Sequence, residues 1–153
     1  MELSYSIEGM DELLKKVDGQ ALLGQPLRTF FNKASLETQR QIQQRTPADT
    51  AVLRAGINTE VDSASVPQYA RIGSNSNYAM FVEYDTKPHW PPIAAITPWA
   101  ERHGIDPYMV ARGIAAHGTK GAHMFEFGLE AAKGRFPEFL SELGSDIEGA
   151  WGK

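Results

Sequence analysis

The chain has 153 residues, enough for one domain with a sizeable buried core. It is 42% hydrophobic and 22% charged, within the ordinary globular range. It has no cysteine, which excludes disulfides, thiolate metal sites and cysteine nucleophiles, and its net charge of -4 argues against a general nucleic-acid binder. No apolar run reaches the roughly 18 residues of a membrane span, and the first residues lack the basic and apolar regions of a signal peptide. A soluble, non-secreted protein is therefore expected.

Residues 4–8 read as a short strand. After Gly9, Met10, Leu13, Leu14 and Val17 fall at helical spacing, with acidic residues first and basic residues last, as the helix dipole favours. Gly24-Gln25-Pro26 is expected to open a second helix, since proline is tolerated in a first turn. Its stripe runs through Leu27, Phe30, Phe31, Ala34, Thr38, Gln41, Ile42 and Arg45, apolar at its start and more polar toward its end, so its later half is expected to leave the core. Pro47 ends it, because the residue before proline is pushed out of the helical region. Asp49 and Thr50 then offer turn or capping groups, and a pair of strands is expected over 56–61 and 68–73, joined by the turn at 62–67.

Residues 74–77 form a turn cluster, and 78–83 read as a short helix capped by Asn77 with Tyr78, Phe81 and Val82 on one face. A long proline-rich loop is expected over 85–98, followed by a short helix from Thr97-Pro98 to Gly104. Asp106-Pro107 begins another helix, 118–121 interrupts it, and a terminal helix from Met124 should break or kink at Gly134 and Pro137. The expected architecture is α+β: helices from both ends of one domain packed on a small antiparallel sheet, with residues 1–8 and 146–153 at its periphery.

The candidate chemistry is sparse. His89, His103, His117 and His123 lack the close i, i+4 pairing of a helical zinc site, so no metal is expected. Gly118-Thr119-Lys120-Gly121 lacks the spacing of a phosphate loop, and no serine sits in a nucleophile elbow; no catalytic residue and no cofactor is expected. Arg54 is placed to pair with a carboxylate such as Glu83, which would make Asp49, Thr50, Arg54 and Glu83 a fold-defining corner. Trp90, held among prolines, is pre-organised for contact with another subunit. Glu138, Glu142, Asp146 and Glu148 make the end of the chain acidic.

Three ordered runs carry a resemblance. Pro47, Asp49, Thr50, Leu53, Arg54 and Ile57 form the first, and Tyr78, Ala79, Val82, Glu83, Thr86, Pro88, His89 and Trp90 the second. Gly118, Thr119, Lys120, Gly121 and Phe125 form the third. In this order they resemble a family of small virion proteins of long-tailed double-stranded DNA phages, described as minor tail, tail-completion or head–tail joining proteins. The resemblance spans about residues 9–145. Ala51 and Asp85 stand where the family pattern has glycine; if those positions need φ > 0, Ala51 is strained and Asp85 less so.

The resemblance implies a structural role without enzymatic activity, in the virion, as a ring subunit at the head–tail neck. The implied partners are other copies of the chain, neighbouring neck and tail proteins, and duplex DNA passing through the lumen without sequence-specific binding. Lys87, Pro88, His89, Trp90, Pro91, Lys120 and Phe125 are the candidate interface residues. The loop at 87–98 and the terminal helix are the two expected patches. The alternatives are a metal-dependent hydrolase using the histidines, or a prophage-encoded binding module.

Overall fold

The computed structural model describes residues 2–9, 19–47 and 51–151. The helix expected from Met10 and the turn residues Asp49 and Thr50 lie outside them. The sheet has the order β1-β3-β2 and is antiparallel throughout, built from β1 (Glu2–Ser6), β2 (Ile57–Val61) and β3 (Tyr69–Ser74). β1, expected at the periphery, pairs with the central strand along its whole length, from Glu2 opposite Gly73 to Ser6 opposite Tyr69. Alternation decides the faces: Ile57, Ala70 and Ile72 are buried, whereas Asn58, Glu60 and Arg71 face outward. This is the expected α+β arrangement.

The long helix α1 (Gly19–Arg45) covers the buried face of the sheet. Its first half packs Leu23, Leu27, Phe30, Phe31 and Ala34 into a core completed by Val66, Ala70, Phe139 and Leu143. Two expectations about this helix fail. It does not open at Pro26, which lies inside it, and its polar half does not leave the core. Thr38, Ile42 and Thr46 are 0%, 0% and 2% exposed. The threonine hydroxyls are buried at low cost because each donates to a carbonyl one turn back, Thr38 to Ala34 at 2.8 Å and Thr46 to Ile42 at 2.8 Å. Gln39 and Gln43 reach across to the Ile57 and Arg54 carbonyls at the start of β2.

A one-turn helix α2 (Val52–Ala55) stands between α1 and β2, where the sequence reads as a turn leading at Leu53 and Arg54 into a strand. The residue preceding it, Ala51, has φ 59° and ψ -2°, the left-handed conformation that the glycine of the resemblance would adopt freely. A Cβ here costs on the order of 1 kcal/mol. The other departure behaves differently: Asp85 has no positive φ and uses its carboxylate instead.

After β3, α3 (Ala79–Glu83) is the expected short helix, but Tyr78, not Asn77, precedes its first residue, without a side-chain cap. It buries Ala79 and Glu83 and leaves Phe81 exposed. α4 (Ile93–Arg102) begins one turn before the expected start, so Pro98 lies within it and the loop after α3 is correspondingly short. α5 (Pro107–His117) starts as expected: Asp106 accepts from the Tyr108 and Met109 backbone N–H groups and Pro107 occupies the first turn.

The terminal helix forms as two pieces, α6 (Met124–Lys133) and α7 (Phe136–Trp151), with Pro137 in the first turn of the second. α7 also carries the expected peripheral residues as far as Trp151. α6 crosses α1 at close range, where a Cβ on Gly128 would lie 2.8 Å from Ile42 Cα and 2.9 Å from its nitrogen; only glycine permits the approach. No helix among the described residues is long and apolar enough to cross a membrane.

The strain at Ala51 predicts that Ala51→Gly stabilises the protein. Relief of the left-handed Cβ contact outweighs the extra freedom glycine gives the unfolded chain, for a net gain of about 0.5–1 kcal/mol. Urea unfolding should show a higher midpoint at unchanged slope. A lower midpoint would mean that this corner does not need the left-handed conformation.

Candidate interaction surface

The second and third sequence runs meet in space. Thr86 and Thr119 form an isolated antiparallel bridge: Thr86 N–H donates to the Thr119 carbonyl at 2.9 Å and Thr119 N–H to the Thr86 hydroxyl at 2.9 Å. The two hydroxyls lie 2.8 Å apart. Further along, Gly121 N–H donates to Asp85 Oδ1 at 2.7 Å, Ala122 N–H to the Val82 carbonyl at 2.7 Å and His123 N–H to the Glu83 carbonyl at 3.1 Å. The glycines are what allow two backbones this close. Gly118 has φ +73° and a Cβ on it would fall 1.9 Å from the Thr86 carbonyl oxygen; one on Gly121 would fall 2.4 Å from that of Glu83.

Glu83 closes this clamp. It is 1% exposed, and its carboxylate accepts from Phe125 N–H at 2.9 Å and Glu126 N–H at 3.2 Å. These are two of the N–H groups that the start of α6 cannot satisfy within the helix, and the helix dipole favours the negative charge there. The expected Arg54–Glu83 pair does not form. Glu83 is committed to the helix start, while Arg54 donates through Nη2 to the Thr46 carbonyl at 3.0 Å, tying α2 to the end of α1. Among the described residues, Arg54 Nε is buried without a hydrogen-bond partner. Arg54 therefore still belongs to the helix-to-strand corner, through a carbonyl and not a carboxylate.

Two of the candidate interface residues are also misplaced. Phe125 is 0% exposed, packed with Ile42, Leu53, Ile57, Ile72 and Met124, and Pro91 is buried. Lys87, Pro88, His89, Trp90 and Lys120 are exposed. The clamp holds both ends of the segment carrying α4 and α5, which pack mainly on each other through the fully buried Ala100 and Ala111. A cleft of about 570 Å³ lies where Pro98 and Trp99 of this hairpin face Val52 and Tyr78 of the body. Trp90, just before α4, and Tyr108 and Met109 of α5 are 55%, 61% and 61% exposed. The Tyr108 and Met109 exposure is not legible in the sequence, where alternate positions of a short amphipathic helix are equally good core candidates.

The histidines do not converge. His103 stacks on Trp99 with ring centroids 4.3 Å apart, His89 meets its neighbouring Lys87 carbonyl, and His123 lies between Asp85 and Glu126 at 3.7 and 3.3 Å. No group of three metal-ligating side chains occurs among the described residues. The segment between the two clamped ends exposes Trp90, Tyr108 and Met109.

Charge-assisted bonds to a buried carboxylate contribute about 1.5–3 kcal/mol. Glu83→Gln should therefore lower stability by about 2 kcal/mol in urea unfolding. Replacing the exposed Glu148 in the same way should change it by less than about 0.5 kcal/mol. Equal effects would show that Glu83 does not hold the clamp.

The sequence matches no family model and no curated protein, and the fold matches no solved structure.

Proposed function

We propose that this chain is a structural protein of a tailed-phage particle, a ring subunit that joins or completes the tail at the head–tail neck. The observation that carries the reading is the set of apolar residues exposed on the segment whose two ends the clamp joins, Trp90, Tyr108 and Met109. Aromatic and methionine side chains such as these are enriched in protein interfaces. The sequence resemblance supplies the identity of the assembly. Its second and third runs build the clamp that sets the hairpin, so they support assembly by positioning the contact surface, with only Lys87, Pro88, His89, Trp90 and Lys120 left to touch a partner directly. A net charge of -4 suits a ring through which DNA slides without being held.

The test is deletion of the encoding gene from the phage, followed by electron microscopy of the lysate. The expected result is an accumulation of separate heads and tails, restored to joined particles by supplying the protein in trans. Normal infectious particles from the deletion would overturn the reading.

A further inference from the structure

We propose that residues 87–118, the segment carrying α4 and α5, form one cooperative unit that opens while the rest of the molecule stays folded. The unit includes Trp90, Tyr108 and Met109, the exposed apolar side chains named above. Its use in an assembly contact rests on the neck reading; its separate opening does not.

The argument begins with the cores. Two apolar clusters hold the domain together. One joins Phe31 of α1 to Ala70 of β3 and Phe139 of α7; the other joins Ile42 of α1 to Ile72 of β3 and Phe125 of α6. Both draw on α1 and on the sheet, so those elements and the terminal helices are tied into one body. Among the described residues, none between Val82 and Met124 belongs to either cluster. The fully buried side chains of α4 and α5 are two alanines, Ala100 and Ala111, where these helices pack mainly on each other. The largest side chains of the segment, Trp90 and Trp99, stay 55% and 39% exposed. Shared burial of large apolar groups is what couples an element to global unfolding, and this segment contributes none to either cluster.

The hydrogen bonds divide at the same place. Asp106 caps α5, His89 N–H donates to the Ile114 carbonyl at 3.4 Å, and the Thr97 hydroxyl donates to the Ile93 carbonyl at 2.8 Å. Arg102 aside, the side-chain hydrogen bonds of 87–118 among the described residues close within the segment. Backbone bonds to the body begin just beyond each end, at Thr86 and Thr119. Toward the body the segment presents the cleft of about 570 Å³, across which Pro98 and Trp99 face Val52 and Tyr78. Val52 and Tyr78 are already 61% and 44% exposed, so opening the segment uncovers little apolar surface of the body.

Opening also leaves the clamp intact. Glu83, Asp85, Gly121 and the start of α6 all lie outside the segment, and their bonds to one another do not pass through it. The clamp then closes a loop, and the entropy of holding its ends together rises only slowly with loop length. A contact surface carried on such a unit can adjust to a partner while the sheet and both cores keep their structure.

Native-state hydrogen exchange of the full chain, followed by NMR through low urea, tests the proposal. The protected amides of α4 and α5, among them Ala100, Ala111 and Ile114, should share one opening free energy and one urea dependence. Both quantities should be smaller than for α1 amides such as Phe31 and Ile42, with exchange about a hundredfold faster or more. Two substitutions sharpen the test, and circular dichroism should show both variants folded. Ala34→Gly, on α1, destabilises the closed and the opened forms alike. It should speed α1 exchange roughly fivefold and leave α4 and α5 at their wild-type rates. Ala111→Gly, on α5, should speed α4 amides by the same factor as α5 amides, again roughly fivefold.

Equal free energies and urea dependences in α1 and in α4–α5 would overturn the proposal, as would Ala34→Gly speeding both alike. Rates in α4 and α5 that scatter from amide to amide, or an Ala111→Gly effect confined to α5, would mean fraying instead of one unit and overturn it too. A segment that opens alone, alongside normal particles from the gene deletion, would sink the neck reading only. Separate heads and tails, alongside a segment that opens only with α1, would sink this proposal only.

Discussion

A single carboxylate, that of Glu83, organises the half of the molecule that the sheet does not. It is buried at the end of α3 and makes no ion pair among the described residues. Burial of an unpaired charge is costly unless the site supplies comparable polarity, and the start of α6 does so with two N–H groups and the positive end of its dipole. The arrangement works in both directions, since α6 needs the acceptor as much as Glu83 needs the donors. Through α6, which crosses α1 at Gly128 and Ile42, the clamp is locked to the main core; through Thr86 and Thr119, it fixes both roots of the α4–α5 hairpin.

In the α4–α5 hairpin Ala100 and Ala111 are fully buried, and Pro98 and Trp99 face Val52 and Tyr78 of the body across a cleft. The hairpin's orientation is set by backbone hydrogen bonds at its base, which are directional where apolar contact is not.

Much of the fold was legible because it rests on local patterns. The strand pair, the short helix before Glu83, the Asp106-Pro107 helix start and the break near Gly134 all follow from periodicity, capping and turn chemistry. Even the strain at Ala51 was readable, from the glycine it replaces. The errors share another cause, which is that tertiary partners decide burial. Thr38 reads as a residue leaving the core because a threonine looks polar until its hydroxyl is returned to the helix carbonyl, as it is here to that of Ala34. Phe125 and Pro91 looked like contact residues because they adjoin exposed ones. Glu83 was correctly singled out but given Arg54 as its partner, because a donor set made of backbone N–H groups about forty positions later leaves no mark in the side chains.

The central claim is that residues 82–86 and 119–126 form one cooperative unit with the core, and native-state hydrogen exchange tests it directly. The amides of Ala122, His123, Phe125 and Glu126 should exchange only through the same large-scale opening as the α1 core amides, with matching free energies and the same denaturant dependence. Should those four amides exchange rapidly, as surface-loop amides do, while α1 stays protected, the clamp would be incidental, and the account of how the hairpin is held would be wrong.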